Sequence, residues 1–361
     1  MGNNTFGQLF TITTWGESHG KEMGVIIDGC PSNLSISREE IEKDLLLRRG
    51  DHFFSTHRRE KDSIEIVSGI FNGKTTGAPI SIIIKNTDVD SSDYEKNKNL
   101  LRPNHANYTY LEKYGIFDYR GGGRASARET VCRVAAGSIA KKILKKYHIE
   151  TLAYLKSLHQ IEAQIPHDFA LIKKLRNQSP LLCPDKISTE KMLKILETTK
   201  EEKDSVGAVI ECTVPYMISG LGDPIYQKVS SKLAHAIFSI PGVQGFEIGE
   251  GFHSSYMKGS EYHDHFFMDK NKKIKTKTNH CGGLQAGISN GMPIIFRLAL
   301  KPTSTIEKPI KTITHQGKAS ILNWKNFRHD CCIALRAIPV VEAMTNLVLV
   351  DSLLMQKSIS L

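Results

Sequence analysis

The chain has little of what marks the commonest specialised classes. Its seven cysteines (Cys30, Cys132, Cys183, Cys212, Cys281, Cys331 and Cys332) are odd in number, scattered, and never spaced C-x-x-C. Neither a disulfide framework nor a structural zinc site is expected, and the cysteines read as small buried hydrophobes in a reducing compartment. His253, His263, His265 and His280 share one polar segment but lack H-x-x-x-H spacing. They read as surface histidines, and no metal is expected. No basic segment leads into an apolar core near Met1, and no run of 18 apolar residues occurs. This predicts a cytoplasmic protein with no membrane partner. Nucleotide fingerprints fail too. Gly121-x-Gly123 is followed by Ser126 where a Rossmann loop needs its last glycine, and Ser68–Thr76 is one residue short of a P-loop. That second stretch runs into β-branched Ile80–Ile84, so residues 64–84 are expected to form a β-hairpin.

What the chain does have is ordinary globular composition, 40% hydrophobic and 24% charged, with a formal charge of +10. A basic balance suits nucleic acid, an anionic membrane or acidic small molecules. The lysine-rich pieces, Lys141–Lys146 and Lys270–Lys277, are short and read as solvated faces or loops. The arginines stand instead beside glycine and histidine. That pattern favours a phosphate- or carboxylate-bearing ligand over nucleic acid, because guanidinium grips such groups through paired charge-assisted hydrogen bonds.

This character is densest from Arg102 to Leu144, which holds His105, Gly121–Gly123 and five arginines (Arg102, Arg120, Arg124, Arg128 and Arg133). Ser126 and Glu129 match an S-x-x-E capping box, and Val131, Val134, Ala135, Ile139 and Ile143 recur at helical spacing. Unpaired N–H groups at a helix start favour anions, so the stretch reads as an anion site. Lys301–Thr305 (KPTST) is an anion cradle or a solvated turn. Asp330 is a helix cap or, beside Arg328 and His329, part of a site. His19, on a loop between two expected strands, is solvated or, with Glu17 and Ser18, functional. Elsewhere Ser37 and Glu40 match a second capping box, opening a helix through Leu47. Strands are expected near 9–14, 24–28, 206–214 and 293–300, and helices near 190–199, 228–239 and 332–354. With no repeat and no linker, the fold class is α+β, one domain over 1–361. A peripheral insertion covers about 155–204, and a mobile loop about 250–280. The constellations together predict an enzyme handling a multiply anionic metabolite, with histidines moving protons.

The sequence resembles the chorismate synthase family from end to end. The likeness rests on TTWGESHG (Thr13–Gly20), SGIFNGKTTGAPI (Ser68–Ile80), RPNHANYTYLEKYGIFDYRGGGRASARET (Arg102–Thr130), GFEIGEGF (Gly245–Phe252), NHCGGLQAGIS (Asn279–Ser289), KPTST and RHDCCIALRAIPVVEAM (Arg328–Met344). The resemblance implies a β-α-β sandwich assembled as a homotetramer. It implies a lyase of aromatic amino acid biosynthesis that turns 5-enolpyruvylshikimate 3-phosphate into chorismate and phosphate by 1,4-anti elimination, requiring reduced FMN. By motif position, His19 and His105 would be paired acids and Asp330 an aid to proton removal. Arg124, Ala125, Ser126, Pro241, Gly242, Ala286, Lys301, Pro302, Thr303, Ser304, Thr305 and Arg328 would hold FMN. Arg48, Arg102, Arg128 and Arg133 would contact the substrate's phosphate and carboxylates. The chain departs from the family at Asn104 (for glycine), Asn107 (for aspartate), Ala125 (for serine), Cys331 (for proline) and Phe53 (for arginine). With Phe53 there and no nicotinamide motif, an external flavin reductant is expected, with no direct use of NADP(H).

Overall fold

Two five-stranded antiparallel sheets enclose a layer of helices in the computed structural model, which describes residues 4–49, 62–87, 91–324 and 330–359. The first sheet orders its strands Thr5–Phe6, Thr11–Gly16, Glu22–Asp28, Ile80–Lys85 and Ile64–Ser68. The second orders them Val243–Ile248, Ile294–Leu300, Ala208–Val214, Leu152–Leu158 and Ile161–Glu162. Alternation of the strand side chains sends one face of each sheet inward. Ile80, Ile82 and Ile84 are fully buried on the first, and Ile294, Phe296 and Leu298 on the second.

The helices between them are Arg38–Arg49, Thr130–Lys145, Val229–Phe238 and Ala334–Ile359. Thr130–Lys145 lies on the first sheet, Ala334–Ile359 lies on the second, and the two helices pack on each other. Ala334–Ile359 is long and apolar enough to cross a membrane, but 83% of its most apolar window is buried here. Its polar groups serve the interior. Asp351 accepts from the backbone N–H of Gln8 (3.0 Å), Leu9 (2.8 Å) and Phe10 (3.1 Å), tying the first strands to the last helix. This is the α+β, β-α-β sandwich expected from the sequence.

Local expectations divide. Ser37 and Glu40 do form a reciprocal capping box: Ser37 N–H donates to Glu40 Oε2 (3.0 Å) and Glu40 N–H to Ser37 Oγ (3.3 Å). Ile64–Ser68 pairs antiparallel with Ile80–Lys85, and Ile70–Phe71 with Lys74–Thr75 forms a small hairpin between them, so the P-loop likeness has no helix behind it. The Ser126–Glu129 box does not form. Ser126 Oγ accepts from Arg128 N–H (3.3 Å), and the helix proper begins at Thr130. Glu129 turns away because Thr14 and Arg133 bind its carboxylate. A helix at Phe169–Gln178 was not expected. Asp168 caps it by accepting from Leu171 N–H (2.7 Å), and its narrow apolar edge, Phe169 and Ile172, packs in a small cluster with Leu152 and Tyr154, apart from the main core. The polar segment 249–278 is built from a 3-10 stretch (Gly251–Tyr256), a short helix (Gly259–Tyr262) and a hairpin (Phe266–Met268 with Ile274–Thr276).

Candidate active site

His19 stands on the loop after the Thr11–Gly16 strand, packed against the glycine-rich stretch. Ser18 N–H donates to Gly123 O (3.3 Å), and Ser18 Oγ lies 3.1 Å from His19 Nδ1. Gly121 has φ +93°, and a Cβ there would overlap His19 Nδ1 and Cε1. Only glycine both adopts that backbone angle easily and leaves room for the imidazole. Tyr94 meets the ring edge-on, centroids 5.2 Å apart.

Arg102 is the neighbour that joins His19 to the rest. Its Nη1 donates to Gly121 O (3.3 Å) and its Nη2 to Thr305 Oγ1 (2.8 Å). Its guanidinium carbon lies over Tyr94 (5.5 Å) and Trp324 (5.0 Å). Burial holds its pKa down to about 10. His105 follows in the same turn, its N–H donating to Arg102 O (3.2 Å). Its Nδ1 is buried and, among the described residues, has no hydrogen-bond partner. Burial first, then the charges of Arg102 and Lys301, push its pKa down to about 3, so it is neutral near pH 7. Lys301 Nζ donates to Asn104 O (2.8 Å), which brings the KPTST turn onto this loop.

Two of the family departures are accommodated here. Asn104 has φ +56°, a left-handed angle that asparagine tolerates better than most residues. Asn107 is buried, its Oδ1 accepting from Arg102 N–H (3.1 Å) and its Nδ2 donating to Leu100 O (3.0 Å). An aspartate could make only the first bond.

The KPTST turn also reaches Asp330. Thr303 Oγ1 donates to Asp330 O (3.4 Å), Ser205 Oγ donates to Thr303 O (3.0 Å), and Lys301 N–H donates to Gly242 O (2.9 Å). Pro302 sits behind the turn, lining a separate cleft with His159 and Asp204, while Ser304 completes the turn beside Thr305. The Asp330 carboxylate pairs with Arg336 (3.2 Å). Both line a cavity of about 70 Å³ with Arg48, Thr130, Pro241 and Ile333. Arg48 is buried: Nε donates to Thr130 Oγ1 (2.9 Å), Nη2 to Ala127 O (3.1 Å), and Nη1 pairs with Asp62 (3.2 Å). Asp62 also takes Arg128, whose Nε donates to Asn86 Oδ1 (3.0 Å) and Nη2 to Lys85 O (3.4 Å). Arg128 is thus turned into the scaffold.

Arg124 crosses to the first sheet, donating to Thr14 O (2.7 Å), Thr14 Oγ1 and Asn4 Oδ1 (3.1 Å). Its Nη1 is buried without a hydrogen bond, 3.7 Å from Glu129 Oε1. The side chain borders an open cleft of about 810 Å³ with Trp15, Tyr110, Tyr114 and Phe117. Ala125 N–H donates to Gly122 O (3.0 Å), so a short 3-10 turn holds it. Arg133 is fixed between Glu129 Oε2 (2.8 Å) and Ser239 Oγ (2.6 Å), close to Pro241 in sequence. Ala286 (φ +51°) stands in the turn of the Leu284–Ser289 hairpin, where Gly287 O accepts from Val229 N–H (2.8 Å). Arg328 and Phe53 lie outside the described residues. Asp62, Asn86, Tyr94 and Trp324 were not singled out in sequence. Each acts through a distant partner, and none sits in a local motif that would have marked it.

Comparison with known proteins shows what the whole chain is similar to. The family model described as chorismate synthase matches residues 10–354. A chorismate synthase of Protochlamydia amoebophila (strain UWE25) is 51% identical, covering 99% of each chain. One of Crocosphaera subtropica (strain ATCC 51142 / BH68) is 48% identical, covering 97% of each. A solved structure described as a crystal structure of chorismate synthase superposes with a TM-score of 0.76 at 30% identity, covering 97% of this chain and 93% of the other.

Proposed function

The chain belongs to the chorismate synthase family and is a lyase, and from that premise we propose that it converts 5-enolpyruvylshikimate 3-phosphate to chorismate and phosphate by 1,4-anti elimination with reduced FMN bound. The observation that carries this reading is the convergence on Arg102. His19 reaches it through Gly121 and Tyr94, His105 lies in its own turn, and Thr305 bonds its guanidinium. A dianionic leaving group and two carboxylates need fixed, partly desolvated positive charge, which Arg102, Arg48, Arg133 and Lys301 offer.

FMN fits the residues present. His105 Nδ1 and Arg124 Nη1 are buried nitrogens without hydrogen bonds, and Lys301, Thr303 and Ser304 add donors suited to a phosphate. Reduced FMN would supply an electron-rich ring that eases departure of the allylic phosphate and takes up the C6 hydrogen. Lys301, Thr303, Ser304 and Arg124 would bind it, and Pro241 and Gly242 would wall the site beside Asp330. His105 is armed by its ligand. Neutral in the free chain, chiefly through burial, it regains part of its basicity when an anion offsets Arg102 and Lys301, and serves as one of the two acids. His19, steadied by Ser18, serves as the second acid, and Asp330 takes the proton-removal position beside Arg336. Arg128 supports these groups from the scaffold.

A homotetramer belongs to the same proposal. Its support is the uncovered apolar surface of the first sheet, where Trp15, Ile26 and Val67 are exposed. The flavin would arrive reduced by an external donor, in the cytoplasm; anaerobic turnover with NADPH and FMN alone would contradict that. His19→Ala and His105→Ala are each expected to lower turnover by roughly 10- to 10,000-fold with FMN binding retained. Arg124→Ala should weaken FMN binding. Near-normal rates in both histidine variants would refute the proton-transfer roles.

A further inference from the structure

Asn86 follows the Ile80–Lys85 strand and faces the loop that carries His19. Its Nδ2 donates to Glu17 O (3.0 Å) and Gly20 O (2.9 Å), carbonyls on either side of His19. Its backbone N–H donates to Lys21 O (3.1 Å). On the other side, Oδ1 accepts from Arg128 Nε (3.0 Å). Two carbonyls opposite the nitrogen and a guanidinium opposite the oxygen allow only one orientation of the amide. Arg128 is itself clamped by Asp62 and Lys85 O, and Asp62 is clamped by Arg48. A buried ion cluster thus holds Asn86, and Asn86 holds both ends of a four-residue turn.

We infer that Asn86 is a positioning residue for His19, transmitting the fixed geometry of the Asp62–Arg128 pair to the imidazole. This rests on the reading above that His19 transfers a proton. The side-chain chemistry is specific to the task. Aspartate would keep the acceptor toward Arg128 but set a carboxylate oxygen against two carbonyls, and serine could satisfy one carbonyl at most. A displacement of about 1 Å at a reacting group costs on the order of 100-fold in rate.

The test uses the full chain with reduced FMN. kcat and KM are measured for Asn86→Asp, His19→Ala and the double variant, and the His19 imidazole is followed by NMR titration in wild type and Asn86→Asp. The expected result is a kcat about 10- to 100-fold lower in Asn86→Asp with KM little changed, no further loss when it is added to His19→Ala, and shifted His19 resonances. A wild-type kcat in Asn86→Asp, a loss that multiplies that of His19→Ala, or unchanged His19 resonances would each overturn the inference. If His19→Ala keeps near-normal turnover, the proton-transfer reading of His19 falls separately. The titration then decides positioning alone: shifted resonances uphold it and unchanged ones overturn it. Should Asn86→Asp fail to fold, Asn86→Ser, which removes at least one donation without adding charge, is read on the same assays with the same outcomes.

Discussion

Replacing Gly121 by alanine should separate His19's placement from the rest of the fold. The residue has φ +93°, so a Cβ costs about 1–2 kcal/mol in backbone strain alone. The new methyl would overlap His19 Nδ1 and Cε1 and sit 3.0 Å from Ser18 Oγ. Restoring ordinary contact distances moves the ring by roughly 1 Å, a displacement worth on the order of 100-fold in rate, or about 2.7 kcal/mol of barrier. The assay is kcat at saturating reduced FMN, with FMN affinity and thermal unfolding measured alongside. Gly73→Ala is the control, because Gly73 also has positive φ (+70°) but nothing lies within 4 Å of its Cβ position. Both variants should lose the stability that backbone strain costs, Gly121→Ala should lose more because of the overlap, and only Gly121→Ala should lose kcat. Equal kcat in the two variants would refute the claim that Gly121 is kept small for His19.

Asp62→Asn removes the carboxylate that Arg48 and Arg128 share in a buried site and should cost about 3–5 kcal/mol in denaturant unfolding; an unchanged midpoint would contradict the cluster's role. Asp351→Ala strips the acceptor from three backbone donors, at about 1–3 kcal/mol for each one left buried, and should speed amide exchange at residues 8–10; wild-type exchange there would contradict the tie. His105 has a folded pKa of about 3, against an ordinary value of about 6.5, so the unfolded chain binds the extra proton between those values. Its contribution therefore lowers stability as pH falls from about 6.5 toward about 3. His105→Gln should flatten that part of the profile, and parallel profiles for wild type and variant would contradict the shift.

The parts of this fold written in local pattern were legible in the sequence. Ser37 and Glu40 form their box on one exposed turn, where the Glu40 carboxylate can serve Ser37 and its ion-pair partner Lys142 together. Lys74 and Thr75 gave up the phosphate-loop reading because β-branched residues follow them. Ser126 and Glu129 carry the same S-x-x-E pattern, yet Glu129 is bound by Thr14, 115 residues away, and by Arg133. Long-range partners override a local motif there. The same reason hides Asp62 and Asn86, whose significance lies in Arg128 and in carbonyls 66 and 69 residues distant. The glycine-rich arginine stretch was readable as the lead-in to a helix, and Thr130–Lys145 follows it. That Arg128 would turn inward while Arg102 faces the histidines was not, because side-chain direction depends on which acidic partner the fold brings near.

Elimination without net redox change is decided by anaerobic turnover. Purified protein is mixed with 5-enolpyruvylshikimate 3-phosphate and chemically reduced FMN, and chorismate, phosphate and the flavin spectrum are followed together. Chorismate and phosphate are expected in equal amounts while the flavin stays reduced through many turnovers. No chorismate from authentic substrate, or one flavin oxidised for each product formed, would contradict it.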